Sequence, residues 1–197
     1  MTSATLSRRA LLLSALAAAS AAPAFADETY LGWSMDLSPA DPKNLDALRA
    51  SLHKQIDLVE GIRMREDIKS WFRATPLTID PALRMGGFVQ RGVLSLRDEA
   101  IPEERPVLLH ELLHIYHAQR LPQGVRNPMI LAWYSQAKTA GYAPNAYMLT
   151  NPGEYFATVV STVLAGKAER PPFTRERVKE LQPDFHDWIV FEFGLKF

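Results

Sequence analysis

The sequence contains no cysteine, which excludes disulfides, thiol nucleophiles, sulfur-ligated metals and cysteine-borne lipid anchors. Any metal must be held by His, Asp or Glu. A net charge is missing as well, since 22 Lys and Arg residues face 22 Asp and Glu. The first 26 residues hold Arg8 and Arg9 and no acid, so the remainder is close to neutral. It has neither the basic footprint that nucleic acid requires nor a polybasic membrane patch, and neither partner is expected. Internal repeats and low-complexity tracts are absent, and a composition of 47% hydrophobic and 22% charged residues excludes disordered and fibrous classes. At 197 residues the chain suits one domain around one core, and nothing in the pattern specifies an oligomer.

Residues 1–26 read as a cleaved export signal. A polar start leads to Arg8-Arg9, an apolar run covers Ala10 to Ala22, and Ala24-Phe25-Ala26 forms a small-x-small cleavage site. The run is alanine-rich, interrupted by serines and shorter than the roughly 20 residues needed to span a bilayer. Ser7-Arg8-Arg9-Ala10-Leu11-Leu12 resembles the twin-arginine type of signal, although the usual later lysine is absent. Residues 27–197 are then the mature domain, exported to the periplasm or secreted.

An amphipathic helix of about 18 residues is expected to start at Asp41-Pro42, with Leu45, Leu48, Leu52, Ile56 and Val59 on one face. A short helix through Ile68, Trp71 and Phe72 follows. Leu77-Thr78-Ile79 between two prolines, Phe88 to Gln90 and Val93 to Leu96 then read as short strands. Helices are expected from near Arg105 to Gln119, from Met129 to Lys138, from Asn151-Pro152 until Gly166, and over Thr174 to Leu181 and Pro183 to Phe191. The fold class is α+β, mostly helical, with a small sheet ahead of the helix that carries the chemistry.

That helix contains His110-Glu111-Leu112-Leu113-His114. Four helical residues turn the chain by about 400° and advance it about 6 Å, so both imidazoles leave one face and can take adjacent corners of a single metal. Glu111 lies beside that face. Val107, Leu108, Leu109, Leu112, Leu113 and Ile115 are apolar on most sides, which makes this a buried helix, where two His and a Glu are costly unless a metal compensates them. Two neutral imidazoles with a carboxylate suit one zinc ion with an open fourth position. His117 is about 10.5 Å along the axis from His110, too far for one straight helix to bring both to one ion with His114, and reads as a packed or supporting residue. His53 and His186 read as structural. The acid placed to serve as third ligand is Glu154, but Asn151 to Glu154 also has capping-box spacing, and spacing alone leaves both readings open.

His110-Glu111-x-x-His114, then Tyr147, then Asn151-Pro152-Gly153-Glu154-Tyr155-Phe156-Ala157 resembles the catalytic domain of the anthrax lethal factor type of zincin metallopeptidases, over roughly residues 75 to 165. The resemblance implies a zincin-like fold with His110, His114 and Glu154 as ligands of one zinc ion. It implies Glu111 as general base and acid, Tyr147 as oxyanion donor, and a peptide or protein substrate. Zincins of this kind commonly carry a further acid one turn after the glutamate ligand, where this chain has Thr158. The strand among Val93 to Leu96 is expected to pair an extended substrate along its edge. Two other readings share these residues: an inactive metal-binding periplasmic interaction module, against which the retained Glu111 argues, and a zinc hydrolase acting on cell-wall peptide or another amide.

The signal reading makes two predictions. Mass spectrometry of the exported protein should find Asp27 at the N-terminus, and retained Met1 would contradict the cleavage site. Changing Arg8 and Arg9 together to Lys should stop export by a strict twin-arginine route, whereas unchanged export would point to the general secretory pathway.

Overall fold

The computed structural model describes residues 27–84, 87–90 and 92–197, so the export signal lies outside the described residues. The chain opens with a hairpin that sequence patterning did not reveal, strands β1 (Asp27–Tyr30) and β2 (Trp33–Asp36). Its turn, Leu31-Gly32, holds both residues at positive φ, 49° and 84°, the twist that suits a two-residue hairpin loop. Trp33 and Met35 are fully buried beneath it.

Helix α1 (Leu45–Gly61) buries Leu48, Leu52, Ile56 and Val59, the face its periodicity predicts. It starts three residues after Pro42 because the Asp41 carboxylate accepts from the Lys43 amide at 2.9 Å and closes a turn first. Helix α2 (Glu66–Arg73) follows, then strands β3 (Leu77–Asp80), β4 (Gly87–Gln90) and β5 (Val93–Arg97). The five-stranded sheet runs β1-β2-β3-β5-β4, with β3 parallel to β2 and β5, and β4 antiparallel to β5. This corrects one expectation. Strand β5 is paired on both sides, so among the described residues the strand with a free edge beside the chemistry-bearing helix is β4. The alternating burial of β5 reports a half-covered face and carries no information about its neighbours.

Helix α3 (Val107–Gln119) carries the His-Glu-x-x-His motif, with Leu108, Leu109, Leu112 and Leu113 fully buried. Its first turn has no side-chain cap from Pro106. Gln55 of α1 supplies the missing partner: its Oε1 accepts from the Leu108 amide at 3.2 Å while its Nε2 donates to the Arg105 carbonyl at 2.8 Å. One orphan donor at the helix start is thereby satisfied. Helices α4 (Pro128–Ala137), α5 (Pro152–Ala165), α6 (Arg175–Leu181) and α7 (Pro183–Phe193) complete an α+β fold in which α3 lies chiefly against α5, with α1 and β4 on its other sides. Gly166 ends α5 at φ 88°, and Arg175 donates to the carbonyls of Val163 and Leu164 at 2.6 and 3.2 Å. Among the described residues no helix is long and apolar enough to cross a membrane.

His117 is a packed core residue, 1% exposed, with its ring 4.6 Å from that of Phe156. Neither ring nitrogen has a hydrogen-bond partner among the described residues. Burial, aided by repulsion from His114, lowers its pKa from 6.5 to about 4. The unfolded chain therefore takes up this proton before the folded one, so stability present above pH 6.5 falls as the pH drops towards 4. Denaturant titrations should show His117→Phe recovering on the order of 1–3 kcal/mol of that acid loss. An identical pH dependence in the variant would show that this histidine is not its source.

Candidate metal centre

Two helices build the site. The four-residue spacing on α3 brings Nε2 of His110 and Nε2 of His114 to 3.1 Å from each other, with the rings edge to face at 88°. The first turn of α5 delivers Glu154, whose Oε2 lies 3.2 Å from Nε2 of His110 and 3.5 Å from Nε2 of His114. The ligand atoms all fall within 4.8 Å of one another. Tetrahedral ligands about 2.1 Å from an ion are separated by about 3.4 Å, so these spacings are those of three corners around one centre.

The donor set passes a second test. Oε2 of Glu154 is buried, yet it has no hydrogen-bond partner of acceptable geometry among the described residues, although two imidazole nitrogens face it. A buried carboxylate oxygen left in this way is costly, and a cation between the three atoms removes the cost. Without an ion, burial pushes the Glu154 carboxyl up while the two histidines more than offset this and hold it well below the usual carboxylate range. The group therefore stays anionic, as a metal ligand must.

The capping reading of Glu154 is half realised. Asn151 Oδ1 accepts from the Glu154 amide at 2.9 Å and caps α5. The Glu154 side chain points to the histidines and makes no bond back to Asn151. Cap and candidate ligand are thus two residues with separate tasks. Gly153 between them sits against His114, since a Cβ there would lie 3.8 Å from Nδ1 of that ring.

Glu111 is 8% exposed and faces β4 beside the three-residue group. Tyr147 stands in a short 3-10 turn ahead of α5 and is 43% exposed. Burial raises its phenol pKa, as do Glu154 and Glu111 nearby, against an opposing effect of Arg170, whose guanidinium lies 5.8 Å from the ring centroid. A recess of ≈ 580 Å³ opens over Gly87, Phe88, His110, Glu111, Tyr147 and Glu154. A second, of ≈ 440 Å³, shares His110, Glu111 and Tyr147 with it and extends along Thr158, Ser161 and Thr162 to the Arg105–Glu169 ion pair. Sequence reasoning brought the five motif residues to this place and missed Gly87, Phe88, Arg170 and the hydroxyl wall of α5. The pair Gly86-Gly87 was the available signal, and it reads equally well as a turn.

Thr158 does not take over the orienting role of an acid. Its Oγ1 is buried without a partner among the described residues, and Ser161 and Thr162 donate to the Thr158 carbonyl at 3.0 and 2.8 Å. Among the described residues no hydrogen bond reaches Nδ1 of His110 or His114, and the polar contacts of both rings run through Nε2, to each other and to Glu154. His117 lies outside the convergent group, as do His53, stacked on Tyr30, and His186, bonded to Asp187.

If Glu154 holds a metal, Glu154→Ala should strip it as fully as His110→Ala does, because each variant removes one of three protein ligands. Full retention of the metal in Glu154→Ala would remove Glu154 from the ligand set. Metal stoichiometry by plasma emission spectroscopy separates the two outcomes.

No protein-family model matches the sequence, and no curated protein matches it. Among solved structures, the chain is similar to the Pro-Pro endopeptidase PPEP-2 from Paenibacillus alvei, with 16% identity, a TM-score of 0.52, and coverage of 81% of this chain and 96% of that one. At that identity the likeness is one of fold alone.

Proposed function

We propose that the mature chain is an exported, zinc-dependent metallopeptidase of the zincin type, with His110, His114 and Glu154 holding the ion. The observation that carries this reading is the convergence of three ligand atoms within 4.8 Å, among them a buried carboxylate oxygen with no hydrogen-bond partner among the described residues, and Glu111 alongside. Two imidazoles and one carboxylate favour zinc over the hard, oxygen-seeking cations. When bound, zinc supplies Lewis acidity and a water acidified towards neutral pH.

The residues of the chain then have distinct tasks. Glu111 neighbours the ligand-bearing face without joining the convergent group, so it is free to take a proton from water and deliver it to the leaving nitrogen. Tyr147, half-exposed on the wall shared by both recesses, donates to the oxyanion that forms as the carbonyl is attacked, which is the task the zincin resemblance implies. A tyrosine phenol is protonated at neutral pH and has its O–H available for that donation. Strand β4 has no neighbour on its outer side among the described residues, and its outward N–H and C=O groups can pair an extended peptide across the metal centre. That mode of binding favours a peptide backbone over other amides. The likeness in fold to an endopeptidase agrees with this choice of bond by analogy alone.

The proton-transfer role of Glu111 predicts that Glu111→Gln keeps both fold and zinc, because the residue is nearly isosteric and is not a ligand. Turnover of a peptide selected from a random library should fall by about 10² to 10⁴-fold. Undiminished turnover would remove Glu111 from the mechanism. Loss of zinc together with fold would make it structural and favour the metal-binding module.

A further inference from the structure

Strand β4 does more than offer an edge. A Cβ placed on Gly87 would lie 2.8 Å from Cγ of Glu111, 2.9 Å from Cδ and 3.1 Å from Oε2. Separations below about 3 Å lie inside van der Waals contact for carbon, whose optimum is about 3.5–4.0 Å, so a side chain at position 87 and Glu111 in its present place exclude each other. Gly87 is not among the glycines with positive φ, so its backbone conformation suits any residue. What position 87 requires is the absence of a side chain.

We infer that Gly87 is a positioning residue for Glu111: its bare α-carbon lets the edge strand close directly onto the carboxylate and holds that carboxylate at the metal centre. The inference rests on the proposed peptidase reading for its functional consequence and on geometry alone for its physical content. Glu111 is buried between its own helix and β4, with the strand as the wall it leans on. The atoms that would clash belong to the outer part of a flexible side chain, with no backbone among them. A methyl group on Gly87 therefore requires Glu111 to turn away about its side-chain torsions, without a backbone clash. Because the free edge of β4 is also where an extended substrate would pair, the same close approach sets the distance between the bound peptide and the group that moves its proton. A misplacement of about 1 Å at such a group can cost about 10²-fold in rate.

The test uses Gly87→Ala in the full-length mature protein, with Gly61→Ala as control, since a Cβ at Gly61 meets nothing within 4 Å. Gly87→Ala should keep wild-type zinc stoichiometry and cooperative unfolding while kcat falls on the order of 10²-fold and KM changes little. In a Glu111→Gln background the same substitution should cost nothing further, because both changes remove one function. Multiplying losses would place the effect of Gly87 elsewhere and overturn the inference. Zinc-loaded crystal structures of the wild type and Gly87→Ala provide a readout independent of activity. The Glu111 carboxylate should be displaced by on the order of 1 Å, and a carboxylate found in place would refute the inference. A wild type that cleaves no peptide would remove the peptidase reading, and the crystallographic comparison would still decide the role of Gly87.

Discussion

The candidate site depends on the contact between α3 and α5. Each helix taken alone carries an incomplete centre: two imidazoles on one, a single carboxylate on the other. Packing α3 against α5, whose Phe156, Val159, Val160 and Val163 are all fully buried, brings the first turn of α5 within 3.2 Å of His110. Burial drives that contact at roughly 25 cal/mol per Å² of apolar surface. The polar price is a carboxylate and two histidines in a place where water cannot serve them all, and an ion is the natural means of offsetting it. The remaining elements follow from the same contact. Gln55 fixes the start of α3, Asn151 and Arg175 fix the two ends of α5, and β4 closes over Glu111.

Much of this was legible in the sequence, and the reasons for the rest are physical. The helices with long apolar periods, α1, α3 and α5, are readable because 3.6-residue spacing reports a buried face directly. Their ends are less so: Asp41 promised a helix start, yet its carboxylate closed a turn that delayed α1 to Leu45. The β1–β2 hairpin escaped because its Leu31-Gly32 turn contains neither Asn nor Asp and its strands are four residues long. The order of the sheet escaped for a different reason. Alternation within Val93 to Leu96 fixes which side chains face the core, while the identity of the edge strand is set by pairings between distant segments. The edge therefore fell to β4, and with it the wall of the site.

The candidate ligands show the same division. The spacing of His110 and His114 is a local property of a helix and survives intact in the structure. The role of Glu154 is non-local. As a sequence, Asn151-Pro152-Gly153-Glu154 describes a helix cap as well as a ligand, and the structure keeps the cap in Asn151 while turning Glu154 to the histidines. Gly87 is the extreme case, because a glycine required for the space it leaves cannot be told from one required for a turn until the neighbour that fills the space is known. One turn after Glu154 this chain has Thr158 where the zincin pattern its motifs resemble commonly has an acid, and Ser161 and Thr162 bond to the Thr158 carbonyl.

The most direct test of the account is zinc-dependent cleavage. The mature protein, stripped of metal by a chelator and dialysed, should cleave no member of a random peptide library. One equivalent of zinc should restore cleavage at internal peptide bonds, in proportion to the zinc bound. Cleavage that persists in the stripped protein, or a stoichiometric zinc complex that leaves every peptide intact, would contradict the metallopeptidase account.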